Sequence, residues 1–147
     1  MKISVRGHQA LATMAWLAIQ QDEQKPLAGP VIAEFLGVSK IYLEQTLALL
    51  KRAGLVSAMK GAQGGYRLSR VAREISVAAI LMAAEPGLFD LQSPPGPDEP
   101  ALLQILDQHV YQPLDRSVRS LLDGVSLQDL ADAYNRQKTD AGFMFFI

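Results

Sequence analysis

The sequence predicts a mostly α-helical protein that carries one small β-hairpin. Apolar residues recur at spacings of three and four over several segments, which is the pattern of amphipathic helices. Two short runs of β-prone residues, 55–59 and 66–68, flank a glycine-rich stretch, as the strands of a hairpin do. Five of the eight prolines fall within residues 85–100, where no periodicity is present, so this segment is predicted to be a loop.

The first helix is predicted over residues 10–20. Its apolar residues lie on one side and Trp16 widens that side, so we expect the indole to pack in the core and not to bind a ligand. Pro30 then fits the first turn of a second helix, because the missing N–H of proline removes no hydrogen bond there.

A short helix, a tight turn and a longer helix follow one another up to residue 53, and the hairpin comes directly after them. Gly37 suits the turn because glycine reaches positive φ without a Cβ clash. Ser39 can cap the helix over residues 40–53 by accepting an N–H from its first turn. This order of elements is the plan of a winged helix-turn-helix domain, in which the hairpin is the wing.

The longer helix is expected to bury Leu43, Leu47 and Leu50 and to leave its opposite side for a partner. In a helix-turn-helix, that side meets base edges in the major groove of DNA, where glutamine can pair with adenine and glutamate can accept from cytosine. A solvated helix face is the alternative. The residues assigned to bases or adjacent phosphates lie at the start of this helix: Ser39, Lys40, Ile41, Tyr42, Glu44 and Gln45.

The hairpin tip is the second candidate contact with DNA. Three glycines within residues 61–65 let the chain turn tightly and let backbone approach a phosphate or a groove, although turn chemistry alone also explains them. The residues assigned to phosphate or groove positioning are Arg6, Lys51, Arg52, Lys60, Gly61, Gln63, Gly64, Tyr66 and Arg67.

Charge is divided unevenly along the chain, whose formal net charge is −1. Residues 1–84 carry ten Lys and Arg against five Asp and Glu, whereas residues 85–147 carry four against ten. Between residues 40 and 73 there are seven cations and one anion. This local excess is the electrostatic footprint of a surface that tracks phosphates, and it predicts salt-sensitive binding.

Composition argues against several other classes of protein. No apolar run of about 18 residues predicts a membrane span, and the N-terminus lacks the cleavage site of a secretory signal, so we expect a cytoplasmic protein. The absence of cysteine removes disulfides and thiolate-bound metals or clusters, and His8 and His109 lie far apart in the sequence. No catalytic constellation is evident, so neither an enzyme nor a cofactor is expected.

The acidic half contains a long apolar stripe that is the candidate dimer interface. The apolar pattern predicts a helix over residues 101–123, and Pro113 either breaks this helix or starts its second half. A short last helix is predicted over residues 127–134. Pairing of two copies is favoured because little other core lies nearby, and packing on its own domain is the alternative. The residues assigned to dimerisation are Leu103, Leu106, Val110, Leu114, Val118, Leu121 and Leu122.

The chain ends on an apolar cluster after a segment, 135–142, whose composition is polar and flexible. Such an end is expected to be buried, either on its own dimer or in a partner pocket that accepts an amino-acid-like carboxylate. The candidate docking residues are Phe143, Met144, Phe145, Phe146 and Ile147.

The sequence is therefore divided into four predicted parts. They are a winged helix-turn-helix domain over 1–84, a loop over 85–100, a helical dimerisation region over 101–134 and a tail over 135–147.

A set of short motifs runs in order through the first 84 residues: MKIS at the start, RG at 6–7, YLEQ at 42–45, LLKRAGLV at 49–56, KGAQGGYRL at 60–68 and EISV at 74–77. Together these motifs resemble the Rrf2 family of bacterial winged-helix transcription regulators. The resemblance implies a homodimer on a palindromic operator, with the helix over 40–53 in the major groove and the wing in the neighbouring minor groove. It also implies a base-selecting role for Glu44 and Gln45.

Well-known members of this family hold an iron–sulfur cluster through three cysteines in the loop that corresponds to residues 85–100, and this sequence has no cysteine. The chain is more similar to the cluster-free branch of cysteine-metabolism repressors, through its wing, its segment 126–131 and its apolar end. In that branch the repressor binds cysteine synthase. The resemblance therefore implies cysteine synthase as a candidate partner for residues 143–147.

Overall fold

The computed structural model describes residues 2–20, 25–89 and 94–144. No helix within these residues is both long enough and apolar enough to cross a membrane. The elements follow in the order α1 (Val5–Ile19), α2 (Gly29–Leu36), α3 (Lys40–Arg52), β1 (Val56–Met59), β2 (Gly65–Leu68), a 3₁₀ turn (Ala72–Glu74), α4 (Val77–Ala84), a second 3₁₀ turn (Pro86–Phe89), α5 (Ala101–Leu106), a π turn (Asp107–Tyr111), α6 (Gln112–Asp123) and α7 (Leu127–Met144).

Helix α1 begins at Val5, so the predicted start at residue 10 is wrong. Ser4 caps the helix, because the Gly7 N–H donates to its hydroxyl at 3.2 Å. The Glu85 carboxylate accepts the Ser4 N–H at 2.9 Å, and a Cβ at residue 7 would overlap that carboxylate. Gly7 is therefore part of α1, and its lack of a side chain leaves room for the Glu85 carboxylate.

The helix-turn-helix forms as its local signals predict. Pro30 lies in the first turn of α2, and Gly37 ends the helix with a φ of 66°. The Val38 N–H donates to Ala33 O at 3.0 Å across the turn. Ser39 then caps α3 by accepting the N–H of residue 42 at 3.2 Å. These bonds fix the angle at which α3 leaves α2.

The core lies between α1, α2, α3, the hairpin, α4 and the start of α7, which contributes Leu127 and Ala131. Leu43, Leu47 and Leu50 of α3 are at most 1% exposed, as predicted, and they join Met14 of α1 and Ile80 of α4 in one buried cluster. Each fully buried side chain of this size contributes about 1.5–3 kcal/mol to folding. The opposite side of α3 is therefore held outward by the packing of its apolar stripe.

The wing is a two-stranded antiparallel hairpin that a third segment anchors. The register of β1 and β2 pairs Val56 with Leu68 and Met59 with Gly65. Residue 27 joins the sheet as an isolated bridge, because its N–H donates to Tyr66 O at 2.9 Å and its carbonyl accepts the Tyr66 N–H at 2.8 Å. The root of the wing is thereby fixed to the chain that enters α2.

Helices α5 and α6 are joined through the π turn, which resolves the two alternatives for Pro113. The proline lies in the first turn of α6, so it starts the second half of the helix and does not break it. In a regular helix a proline clashes with the carbonyl four residues earlier. Here the Gln112 N–H donates to Asp107 O five residues back, and this wider turn accommodates the proline ring.

Helix α7 runs to Met144, so the predicted end at residue 134 and the flexible segment predicted over 135–142 are both wrong. Its start is fixed to the start of α4, where the Leu127 N–H donates to Ile75 O at 2.9 Å. From residue 132 to residue 142 every side chain is exposed. The backbone of Phe143 and Met144 completes the helix, and Phe145, Phe146 and Ile147 lie outside the described residues.

Candidate nucleic-acid interface

The outward face of α3 carries the residues that were assigned to base contacts. Lys40, Glu44 and Gln45 are exposed, as is the capping Ser39, whereas Tyr42 is half-buried. Ile41 is 71% exposed, which is unusual for a large apolar residue and suits contact with a thymine methyl group. The exposure of this face is confirmed, and its contact with bases stays a prediction.

Glu44 and Gln45 point their polar groups into solvent without a protein partner. Within the described part of the chain neither side chain makes a hydrogen bond or an ion pair. Their donors and acceptors are therefore available, and the helix backbone already fixes their positions. A side chain that is held in place by a rigid helix loses less entropy when it binds a base edge.

The cations of the domain are exposed, and none of them forms an ion pair with another described residue. The single ion pair within the described residues joins Arg119 and Asp115, in the other half of the chain. A surface that keeps its positive charge attracts the phosphate backbone of DNA. The exposed cations of the helix, the wing and the segment behind it are Lys40, Lys51, Arg52, Lys60, Arg67, Arg70 and Arg73.

A surface groove of about 720 Å³ brings the first turn of α1 beside α3. Arg6 lies on one side of this groove, and Gln45 and Arg52 lie on the other. The N-terminal turn of a helix carries partial positive charge, so it adds to the field of the two arginines. The structure therefore brings Arg6 beside Gln45 of the α3 face, although the two residues lie far apart in the sequence.

The wing tip presents Lys60, Gly61 and Gln63 to solvent, whereas Gly64 is half-buried. Its glycines are explained by the hairpin backbone itself. Gly61 has a φ of 109°, and a Cβ at Gly64 would overlap the carbonyl of residue 59. Turn chemistry thus accounts for the glycine motif, and the exposed polar side chains at the tip carry the argument for a DNA contact.

Tyr66 takes part in the packing of the wing root. It is half-buried and packs against the core cluster, and a Cβ at Gly29 would lie 3.6 Å from its ring. Side chains alternate along a strand, so Tyr66 faces the core while the neighbouring Arg67 faces solvent. Packing therefore explains the tyrosine, and its assignment to DNA stays a prediction.

The apolar stripe along α5 and α6 is largely exposed in the single chain. Of the seven residues assigned to dimerisation, four are exposed, Leu103, Val110, Leu114 and Leu121, and three are half-buried, Leu106, Val118 and Leu122. Val118 and Leu122 pack against a cluster of Val77, Leu81 and Phe89. These two residues therefore pack on their own chain, which is the alternative to dimerisation. Leu102 and Ile105, which the sequence assignment does not include, are 63% and 52% exposed on the same helix.

Three comparisons with known proteins agree with this architecture. A family model described as "Rrf2: Iron-dependent Transcriptional regulator" matches residues 3–133. The HTH-type transcriptional regulator IscR of Aliivibrio salmonicida is 32% identical over 131 residues, which cover 88% of this chain and 77% of that protein. The solved structure of CymR, the global cysteine regulator of B. subtilis, gives a TM-score of 0.75 at 32% identity and covers 90% of this chain and 98% of CymR. The solved structure of T. potens IscR gives a TM-score of 0.71 at 33% identity and covers 91% of this chain and 88% of that protein.

The residues of this chain do not fit an iron centre, although the family is described as iron-dependent. The sequence has no cysteine. Within the residues that the structure describes, no three His, Cys, Asp or Glu side chains come together as potential metal ligands. His8 and His109 are exposed on separate elements. The comparisons therefore extend to fold and DNA binding and not to an iron-dependent step.

The fold, the exposed α3 face and the extent of the match lead to one assignment. The family model covers most of the chain, and the relatives that match over this length are transcriptional regulators. The wing and the helix-turn-helix lie in the matched region, as do α5 and α6. The chain belongs to the Rrf2 family of winged-helix, DNA-binding transcriptional regulators.

Proposed function

We propose that this protein is a repressor that binds a palindromic operator as a homodimer and blocks the promoter that contains it. The observation that carries the proposal is the exposed face of α3, where Glu44 and Gln45 have no partner among the described residues and Arg6 and Arg52 line the same groove as Gln45. Glu44 and Gln45 read base edges in the major groove. Arg6, Arg52 and Lys60 hold the phosphates on either side, which positions α3 without reading sequence.

The homodimer is supported by the exposed stripe on α5 and α6. Leu103, Val110 and Leu114 are each 42–47% exposed in the single chain, and Leu121 is 71% exposed. A monomer rarely leaves a contiguous stripe of large apolar residues in water. A two-fold dimer buries the stripe and presents two copies of α3 to two half-sites, so the operator is expected to be palindromic.

Selection of genomic fragments with the purified full-length protein tests this proposal. We expect enriched fragments to share an inverted repeat, and the binding constant to fall steeply as salt rises, because phosphate contacts release counterions. Transcription from an enriched promoter should decrease when the protein is added. If no fragment is enriched, or if binding does not respond to salt, the domain is instead a protein-interaction module.

We further propose that the regulated genes belong to cysteine metabolism and that cysteine synthase is a partner. Similarity to CymR, which is described as a global cysteine regulator, supports this proposal. The apolar sequence of residues 143–147 is the proposed docking element, since a cluster of three aromatic side chains with a methionine and an isoleucine suits burial in a partner pocket.

Deletion of residues 144–147 tests the docking element. Calorimetry with purified cysteine synthase should show binding for the full chain and a large loss for the truncated chain. Asp140→Asn, an exposed change on the same helix, is the matched control and should keep the affinity. Unchanged affinity after truncation would contradict the docking role, while DNA binding by the truncated protein would show that the domain is intact.

A further inference from the structure

The π turn between α5 and α6 buries a carboxylate beside a cavity. Asp107 is 8% exposed and, among residues 101–123, all of which are described, no other side chain is buried. The Gln112 amide donates to its Oδ2 at 2.6 Å. No cation of the described residues lies within ion-pairing distance. A buried carboxylate that lacks a positive partner is costly, so this position favours the binding of a cation.

The cavity beside Asp107 has a volume of about 340 Å³. This is near the lower end of the range of ligand pockets, so it suits a small molecule. It lies between the proline-rich segment 94–97 and the outer side of the π turn. Its lining residues are Pro94, Pro95, Gly96, Pro97, Gln104, Asp107 and Gln108.

The lining offers mostly hydrogen-bond acceptors. A proline contributes a backbone carbonyl and no N–H, and three of the lining residues are prolines. One N–H of the Gln104 amide donates to Glu99 O at 3.3 Å, and the amide oxygen remains free to accept. A positively charged group that donates hydrogen bonds therefore matches the prolyl carbonyls, the Gln104 oxygen and the Asp107 carboxylate of this wall.

We propose that the cavity between residues 94–97 and Asp107 binds a small organic ammonium ligand, with the Asp107 carboxylate as its anionic partner. An ammonium group supplies three donors and one positive charge in a compact head. A divalent metal ion would use the same carboxylate and carbonyl oxygens, so it is the competing ligand in the test that follows. This inference does not depend on the proposed operator or on cysteine synthase.

Putrescine is the probe, since it carries ammonium groups on a short apolar stem, and 1,4-butanediol is the neutral molecule of the same length. With the full-length protein, we expect putrescine to raise the melting temperature and to give a saturable calorimetric signal. Butanediol, and magnesium chloride at equal ionic strength, should give neither. A shift of equal size with either of these would overturn the proposal.

Two further measurements locate the site. Asp107→Asn keeps the shape of the side chain and should weaken putrescine binding by about tenfold to a hundredfold, because a charge-assisted hydrogen bond is lost. Asp98→Asn removes an exposed carboxylate of the same loop and should keep the wild-type affinity. Wild-type affinity in Asp107→Asn would overturn the assignment.

The location can also be mapped without a variant. In amide NMR spectra of the wild-type protein, putrescine should shift the signals of Gly96, Gln104 and Gln108 most strongly. Shifts that are centred on another part of the molecule would overturn the proposal even if an Asp107 variant failed to fold.

Discussion

Residues on α3 divide by the side of the helix on which they lie. Leu43, Leu47 and Leu50 hold the helix to the core and have no access to a ligand. Glu44 and Gln45 have no partner within the described residues, so removing either side chain leaves the fold unchanged. Substitutions on the outer face therefore report on recognition and not on stability.

Replacement of Glu44 by alanine should relax base preference. A good contact with a base edge discriminates by about 1–3 kcal/mol, so the ratio of affinities for the operator and for a single-base variant should fall about fivefold to a hundredfold. Fluorescence anisotropy with the two duplexes measures this ratio. Glu74→Ala, an exposed change outside α3, is the control. Equal losses on operator and random duplex would contradict the base-reading role.

Replacement of Lys60 by alanine should weaken binding to all duplexes alike. Its ammonium lies at the wing tip, where a phosphate contact adds affinity without sequence information. The slope of log K against log salt should fall by about 1. Lys138→Ala removes an exposed cation of α7 and should leave the slope unchanged. A loss confined to the operator would show that Lys60 reads a base.

At the scale of elements, contacts near both ends of α4 connect the winged helix-turn-helix domain to the C-terminal helices. At its start, the backbone of residues 75–77 pairs with that of residues 125–127. Beyond its end, Arg119 of α6 lies 4.5 Å above the ring of Phe89 and donates to Met82 Sδ at 3.7 Å. Contacts at two separate points fix the orientation of α6, and with it the geometry of any dimer.

The cap of α7 predicts a pH dependence. The Ser126 N–H donates to the Asp129 carboxylate at 2.9 Å, and the Asp129 N–H donates to the Ser126 hydroxyl at 3.1 Å. The hydrogen bonds from the Ser126 backbone and side chain hold the pKa of Asp129 below its ordinary value. Because the folded pKa is the lower one, the contribution to stability is present above the unfolded pKa and is lost as pH falls through the folded pKa.

Asp129→Asn should therefore reduce stability at pH 7 and should flatten the decline of stability below about pH 4, where an ordinary aspartate takes up its proton. Urea unfolding at fixed protein concentration and at two pH values measures both effects. Asp132→Asn, one turn further along α7, does not cap the helix and should preserve the decline. An unaltered decline in Asp129→Asn would contradict the capping role.

At the scale of the whole molecule, the basic surface and the apolar stripe of α5 and α6 lie on different halves of the chain. The cations surround α3 and the wing, whereas the exposed apolar stripe follows α5 and α6 in the acidic half. If the protein has the proposed function, this division separates DNA binding from subunit pairing. A change in the stripe should therefore alter the oligomer without altering the fold of the single chain.

Leu114→Glu should shift the protein from dimer to monomer. The side chain is 47% exposed in the single chain, so the carboxylate remains solvated in a monomer and would be buried in a dimer. Sedimentation velocity measures the shift, and operator affinity should fall with it because one half-site binds alone. Val71→Glu, at an exposed apolar residue outside the stripe, should leave the dimer intact. A wild-type dimer in Leu114→Glu would place the interface elsewhere.

The sequence by itself determined the helix-turn-helix, the hairpin and the outward face of α3. Gly37, Ser39 and the leucine spacing of α3 act within a few residues, so their effect does not depend on the rest of the fold. The start of α1 was missed although its Ser4 cap is local, since Gly7 within the first turn argues against a helix.

Tertiary structure decided the features that join distant segments. Three contacts connect residues that are far apart in sequence. Leu27 pairs with Tyr66, Glu85 accepts a hydrogen bond from Ser4, and Arg6 and Arg52 line one groove. The burial of Asp107 likewise depends on how the loop of residues 94–97 folds over the π turn. Hydrophobic periodicity and capping residues indicate which secondary structure a segment forms, because they depend on residues close in sequence. The contacts named here form only when distant segments pack together.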